Sequence, residues 1–158
     1  MPENRYTMKR REMMVLCIAS TASFITFPSF AKDRISKTNK GVAIKGFDTT
    51  AYFERSVPAI GAAANVVEWK GAKWQFVTAQ EAAMFKADPT AFAPQFGGHC
   101  TRAMSIRKVV PGDPKVWRIR EDKLYLFYAP VGRDLFDKGE DAMIAKAQAY
   151  WDTLSLRG

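Results

Sequence analysis

His99 and Cys100 are the residues best suited to chemistry. They are adjacent, follow Gly97-Gly98, and set an imidazole beside a thiol. Both groups are good ligands for copper or zinc. Neighbouring helical positions point about 100° apart, so the pair needs further ligands to grip one ion. Asp48 and Glu81 would provide carboxylates if the fold brings them close. The expected metal set is therefore Cys100, His99, Asp48 and Glu81, and the expected ion is copper or zinc. A second reading stays open beside it. Cys100 is then a small apolar side chain beneath the Gly-Gly turn, the common fate of an unpaired cysteine. His99 is then a ring with a packing role.

Catalysis by the same pair is disfavoured. It needs the imidazole within roughly 3–4 Å of the sulfur and a third group to orient it. Adjacent residues rarely achieve this, and His99 is the only histidine. No nucleophile elbow, P-loop or dinucleotide-binding glycine pattern occurs. The chain reads as a binding module and not as an enzyme. A single histidine rules out a three-histidine zinc site, and two cysteines, Cys17 and Cys100, rule out a four-thiolate cage.

The elements that must position these residues begin after residue 40. Lys9, Arg10 and Arg11, an apolar run from Met13 to Phe27, and the small-x-small exit Ser29-Phe30-Ala31 are the three parts of a secretory signal. Cleavage is expected near Ala31, with periplasmic delivery by the general secretory or twin-arginine route. The full chain has 158 residues and a net charge of +8. Residues 1–31 carry four of its cations and two of its anions, so the mature chain keeps +6. Cys17 leaves with the signal, and Cys100 becomes the only thiol. The cations are scattered and no nucleic-acid motif accompanies them, so nucleic acid is not an expected partner. Their expected roles are solubility and, at most, peripheral contact with anionic membrane surfaces.

Residues 32–40 (KDRISKTNK) are polar and basic and read as a flexible lead-in. Asp48 suits the N-cap of a short helix over Thr49–Phe53. Val66–Trp69 and Lys73–Val77 flank Gly71-Ala72 as a hairpin. Thr78 and Glu81 form a capping box that opens the next helix. Asp88-Pro89 opens another, with Asp as cap and Pro at the first helical position. A short helix is expected from about His99 to Ser105. Val116–Arg120 and Lys123–Tyr128 form a second hairpin around Glu121-Asp122. Met143, Ala147, Tyr150 and Leu154 recur at helical spacing in a final amphipathic helix. The fold class is α+β: a small antiparallel sheet of two hairpins, packed short helices and a C-terminal amphipathic helix. No internal repeat is evident.

Four segments together resemble the YHS-domain family, in particular its small exported form. They are Gly41–Asp48 with Ala51-Tyr52-Phe53; Trp69–Phe76; Phe85–Pro89 with Phe92–Gly98; and Pro111–Pro114 with Trp117 and Lys123–Leu126. The resemblance covers about residues 41–154, within a domain expected over residues 41–156. It implies a compact α+β domain and an association with metals. The cysteines of the family's short metal-linked modules are absent here: Ala51, Val77 and Glu81 occupy those positions. His99 stands where the family often has an aromatic ring. Two functions follow as expectations. One is an exported metal-binding module acting through Cys100. The other is an accessory domain whose aromatic cleft takes a small apolar ligand or a protein partner. The rings that could line such a cleft are Phe47, Tyr52, Phe53, Trp69, Trp74, Phe76, Phe96 and Trp117.

Overall fold

The computed structural model describes residues 34–155. The expected signal segment and its cleavage site lie outside them. The described chain runs α1 (Thr50–Arg55), β1 (Ala62–Trp69), β2 (Ala72–Phe76), α2 (Ala79–Ala87), α3 (Pro89–Phe92), α4 (Thr101–Ser105), β3 (Asp113–Arg120), β4 (Lys123–Phe127), α5 (Pro130–Phe136) and α6 (Glu140–Ser155). The fold is α+β. The hairpins β1–β2 and β3–β4 form two separate two-stranded antiparallel sheets, not one continuous sheet. Among the described residues no helix is long and apolar enough to cross a membrane.

Local chemistry places the boundaries where the residue types suggest. Thr78 Oγ1 accepts from Glu81 N at 3.1 Å, and Glu81 Oε2 accepts from Thr78 N at 2.9 Å. This reciprocal pair starts α2. Asp88 Oδ1 accepts from Ala91 N, and Pro89 opens α3. Both hairpins turn through two residues at positive φ, Lys70-Gly71 and Glu121-Asp122. That geometry matches the right-handed twist of the flanking strands.

The structure contains an internal repeat that the sequence hides. Residues 46–87 and 98–138 follow the same path. Asp48 N donates to Ala59 O, and Cys100 N donates to Val110 O, each at 2.8 Å. Gly61 N donates to Gly46 O, and Gly112 N donates to Gly98 O. Ala62 pairs Phe76 before a break in register at Val66, and Asp113 pairs Phe127 before the same break at Trp117. A helix follows each hairpin after two residues. Phe76 and Phe127 correspond, as do Phe85 and Phe136; each pair is 51 positions apart. Thr49 and Thr101 correspond too, and both hydroxyls are buried without a hydrogen-bond partner among the described residues.

The two copies differ in what lies behind the hairpin. In β2 the buried residues Ala72, Trp74 and Phe76 alternate with more exposed ones. In β4 Leu124, Tyr125, Leu126 and Phe127 are all buried. Leu124 and Leu126 belong to the first core, with Tyr52, Trp74, Phe76 and Phe85. Tyr125 and Phe127 belong to the second core, with Phe96, Cys100, Met104 and Phe136. β4 therefore lies between two cores, which is why its apolar run is continuous. Helix α6 closes the second core with Ala147 and Leu154.

Residues 34–40 are held along the domain. Ser36 N donates to Gly97 O, and Ile44 N donates to Ser36 O, both at 2.8 Å. Thr38 N donates to Val42 O, and Ile35 packs on the first core. The polar composition of this stretch suggested a flexible lead-in, but backbone bonds and one apolar anchor suffice to dock it. Gly97 makes room for this crossing. A Cβ there would stand 2.0 Å from the carbonyl oxygen of Arg34, and its φ is +60°. The Gly-Gly pair is thus required by close approach and by left-handed backbone.

Candidate functional site

The four expected metal ligands fall in separate local networks. Asp48 is fully buried. Its Oδ1 accepts from Thr50 N at 2.8 Å and from Thr50 Oγ1 at 2.6 Å, and its Oδ2 accepts from Val77 N at 2.8 Å. Asp48 is not the N-cap that its place suggested, because α1 starts at Thr50 with Thr49 as N-cap; its oxygens bind Thr50 at the start of α1 and tie it to Val77 just after β2. Glu81 completes the capping box and forms an ion pair with Arg55. Its carboxyl feels opposing influences. Burial raises its pKa, but hydrogen bonds from Arg55 and Thr78 and the Arg55 charge together hold it below the ordinary 4.5.

That shift has a consequence for stability. A carboxylate with a depressed folded pKa stabilises fully above its unfolded pKa and loses this as pH falls through the folded value. Arg55 is 43% exposed, so solvent screens the pair. Glu81→Gln should therefore cost about 1 kcal/mol at neutral pH. The gap to wild type should close as pH drops from 4.5 toward the folded value. Urea midpoints at pH 7 and pH 3 check this, and a gap unchanged at pH 3 would contradict it.

His99 is buried, and its Nδ1 lies 2.9 Å from Phe96 O. A carbonyl only accepts, so Nδ1 carries the proton and Nε2 holds the lone pair. Burial lowers the His99 pKa most, the Phe96 bond opposes this, and the nearby Arg34 charge lowers it again. These influences favour the neutral ring, which sits 6.2 Å from Trp151. Cys100 is 3% exposed. Its Sγ accepts from Ala103 N at 3.3 Å and caps α4. Cys100 thus stands where Asp48 stands in the first copy, and each accepts a backbone N–H near the start of the short helix that follows, Asp48 from two residues on and Cys100 from three. Among the described residues no group of three or more His, Cys, Asp or Glu stands close enough to hold a metal ion.

A different feature gathers rings and cations. A cleft of about 220 Å³ opens between the first copy and α6. Trp69, Phe96 and Trp151 supply its rings, and Arg34 and Lys70 its cations. Phe96 is buried, with Trp151 edge-on to it at 6.1 Å. Trp69 is half-buried and carries the Lys70 ammonium 4.9 Å from its ring centre. Of the rings expected to line a cleft, Trp69 and Phe96 do so. Phe47, Tyr52, Trp74 and Phe76 are buried in the first core, and Phe53 and Trp117 pack against it.

No protein-family model, curated protein or solved structure matches the chain.

Trp151, Arg34 and Lys70 were not singled out by the sequence. The available signal was Trp151 itself. It stands beside the apolar stripe of α6, at a position that the Met143, Ala147, Tyr150 and Leu154 spacing leaves out. A large ring beside such a stripe needs its own partner. Arg34 lies in a stretch that reads as unstructured, so its place at the cleft depends on the crossing over Gly97.

Proposed function

We propose that this chain is an exported, YHS-like periplasmic module that binds a small flat apolar ligand and is not an enzyme. The observation that carries the reading is the fate of the thiol. Cys100 is sealed among Phe96, Met104 and Tyr125 and is used as a helix cap, so it favours a core role over a ligand role for soft metals. The open aromatic surface lies instead at Trp69 and Trp151. Three rings around a space of about 220 Å³ suit one ring-sized guest. Such a guest gains by covering apolar area and by offset or edge contacts with indole faces.

The test uses indole as the probe. The four tryptophans give four separate indole N–H resonances in a nitrogen-15 spectrum. Titration should move those of Trp69 and Trp151 and leave Trp74 and Trp117 in place. Trp151→Ala should weaken the effect at Trp69 at least about fivefold, since a truncated aromatic anchor costs over 1 kcal/mol. If neither resonance moves, or if Trp151→Ala titrates like wild type, the cleft reading is wrong.

A further inference from the structure

The repeat supplies an internal control for the surface. Where the copies share a backbone path, a residue needed for folding should keep its character in both. One face departs from that expectation. In the second copy Tyr128, Val131, Leu135 and Ile106 are 67%, 66%, 42% and 48% exposed. Val131 and Leu135 are one turn apart on α5, and Tyr128 precedes Val131 by three residues. Ile106 and Leu135 line a common groove of about 330 Å³ between α4, α5 and α6. The counterparts in the first copy are Val77, Gln80, Met84 and Glu54. Gln80 and Glu54 are exposed, and Met84 is half-buried. The unit thus folds with polar residues at the sites of Val131 and Ile106, so their apolar character is not required by the fold.

Cations outnumber acids around this face. The groove's charged liners among the described residues are Arg102 and Lys146, with no carboxylate. In the first copy Glu81 engages Arg55; its counterpart in the second copy is Gly132, against which the Arg102 stem packs. Arg107 and Lys108 follow Ile106 and are exposed. The two acids of α5 are each paired with an arginine, Asp134 with Arg133 at 3.0 Å and Asp137 with Arg118 at 2.6 Å. An exposed apolar stripe with an aromatic end and a cationic rim matches the boundary of an anionic bilayer.

We infer that the α4–α5 face of the second copy docks on anionic membrane surfaces. The apolar side chains enter the headgroup boundary while Arg102, Lys146, Arg107 and Lys108 meet lipid phosphates. This face is separate from the Trp69–Trp151 cleft, and neither proposal depends on the other.

Flotation of the mature chain with vesicles tests it. Vesicles of one part phosphatidylglycerol to three parts phosphatidylcholine should carry the protein, and pure phosphatidylcholine should not. Binding should weaken as salt rises. Val131→Gln with Ile106→Glu installs the first copy's residues and should lower partitioning at least about tenfold. These sites are exposed, so the melting temperature should hold. Lys146→Glu alters only the rim and gives an independent arm, with partitioning expected to fall about fivefold or more. Three outcomes would overturn the inference: no binding to the anionic vesicles, equal binding to neutral ones, or wild-type binding by both variants. A dimer in light scattering that the double variant abolishes would also overturn it, because a second copy would then be the occupant.

Discussion

Phe85→Ala should lower the stability of the whole domain by about 4 kcal/mol. Phe85 is fully buried, with ring centres of Phe76, Trp74 and Trp69 at 5.0, 5.2 and 5.8 Å. Removing it leaves a cavity between β2 and α2 that those rings cannot all move to fill. Domains of this size hold about 5–15 kcal/mol in total, so the loss is a large share. Its counterpart Phe136 is equally buried, against Phe127 at 5.1 Å and Tyr125 at 5.4 Å. Phe136→Ala should cost a similar amount. The shape of the transition is the sharper outcome. Because Leu124 and Leu126 of the second copy sit in the first core, both variants should shift one common transition. Urea unfolding followed by tryptophan fluorescence and by far-ultraviolet dichroism checks it. Two separated transitions in Phe85→Ala would mean that the copies fold independently.

Asp48→Ala should cost about 3 kcal/mol or more. The carboxylate is buried and accepts from Thr50 N, Thr50 Oγ1 and Val77 N. Alanine leaves those donors without an acceptor in the interior, and each such loss costs about 1–3 kcal/mol. Asp48→Asn should fall between, because one carbonyl oxygen remains while the amide adds donors that face other donors. Chemical denaturation of the three proteins gives the order. If alanine and wild type share a midpoint, Asp48 does not hold α1 to β2.

Much of the local structure was legible because its causes are local. Thr78 and Glu81 mark the start of α2 from four consecutive residues, since a capping box needs nothing distant. Asp88-Pro89, the two hairpins and the spacing of α6 were readable for the same reason. The repeat was not. Hydrogen bonds of backbone to backbone define it, and these are indifferent to side-chain type. Asp48 and Cys100 each accept a backbone N–H near the start of a short helix, but with different chemistry and from different positions, so no match between them could be seen. The β4 run Leu-Tyr-Leu-Phe carried a trace of what followed, because four buried residues in succession require two faces to cover.

For the candidate site the division is similar. The sequence by itself determined the stock of reactive groups: one imidazole, two thiols at Cys17 and Cys100, and carboxylates at Asp48 and Glu81 among others. It also placed those carboxylates at helix starts, where they are used up by backbone donors. Only the tertiary structure decided that Cys100 points into a ring-lined core and that Trp151 meets Trp69 and Phe96 across a cleft. The reason is distance along the chain. Capping acts over three or four residues, whereas Trp69 and Trp151 lie 82 positions apart. Their meeting depends on how two hairpins and a helix pack around β4.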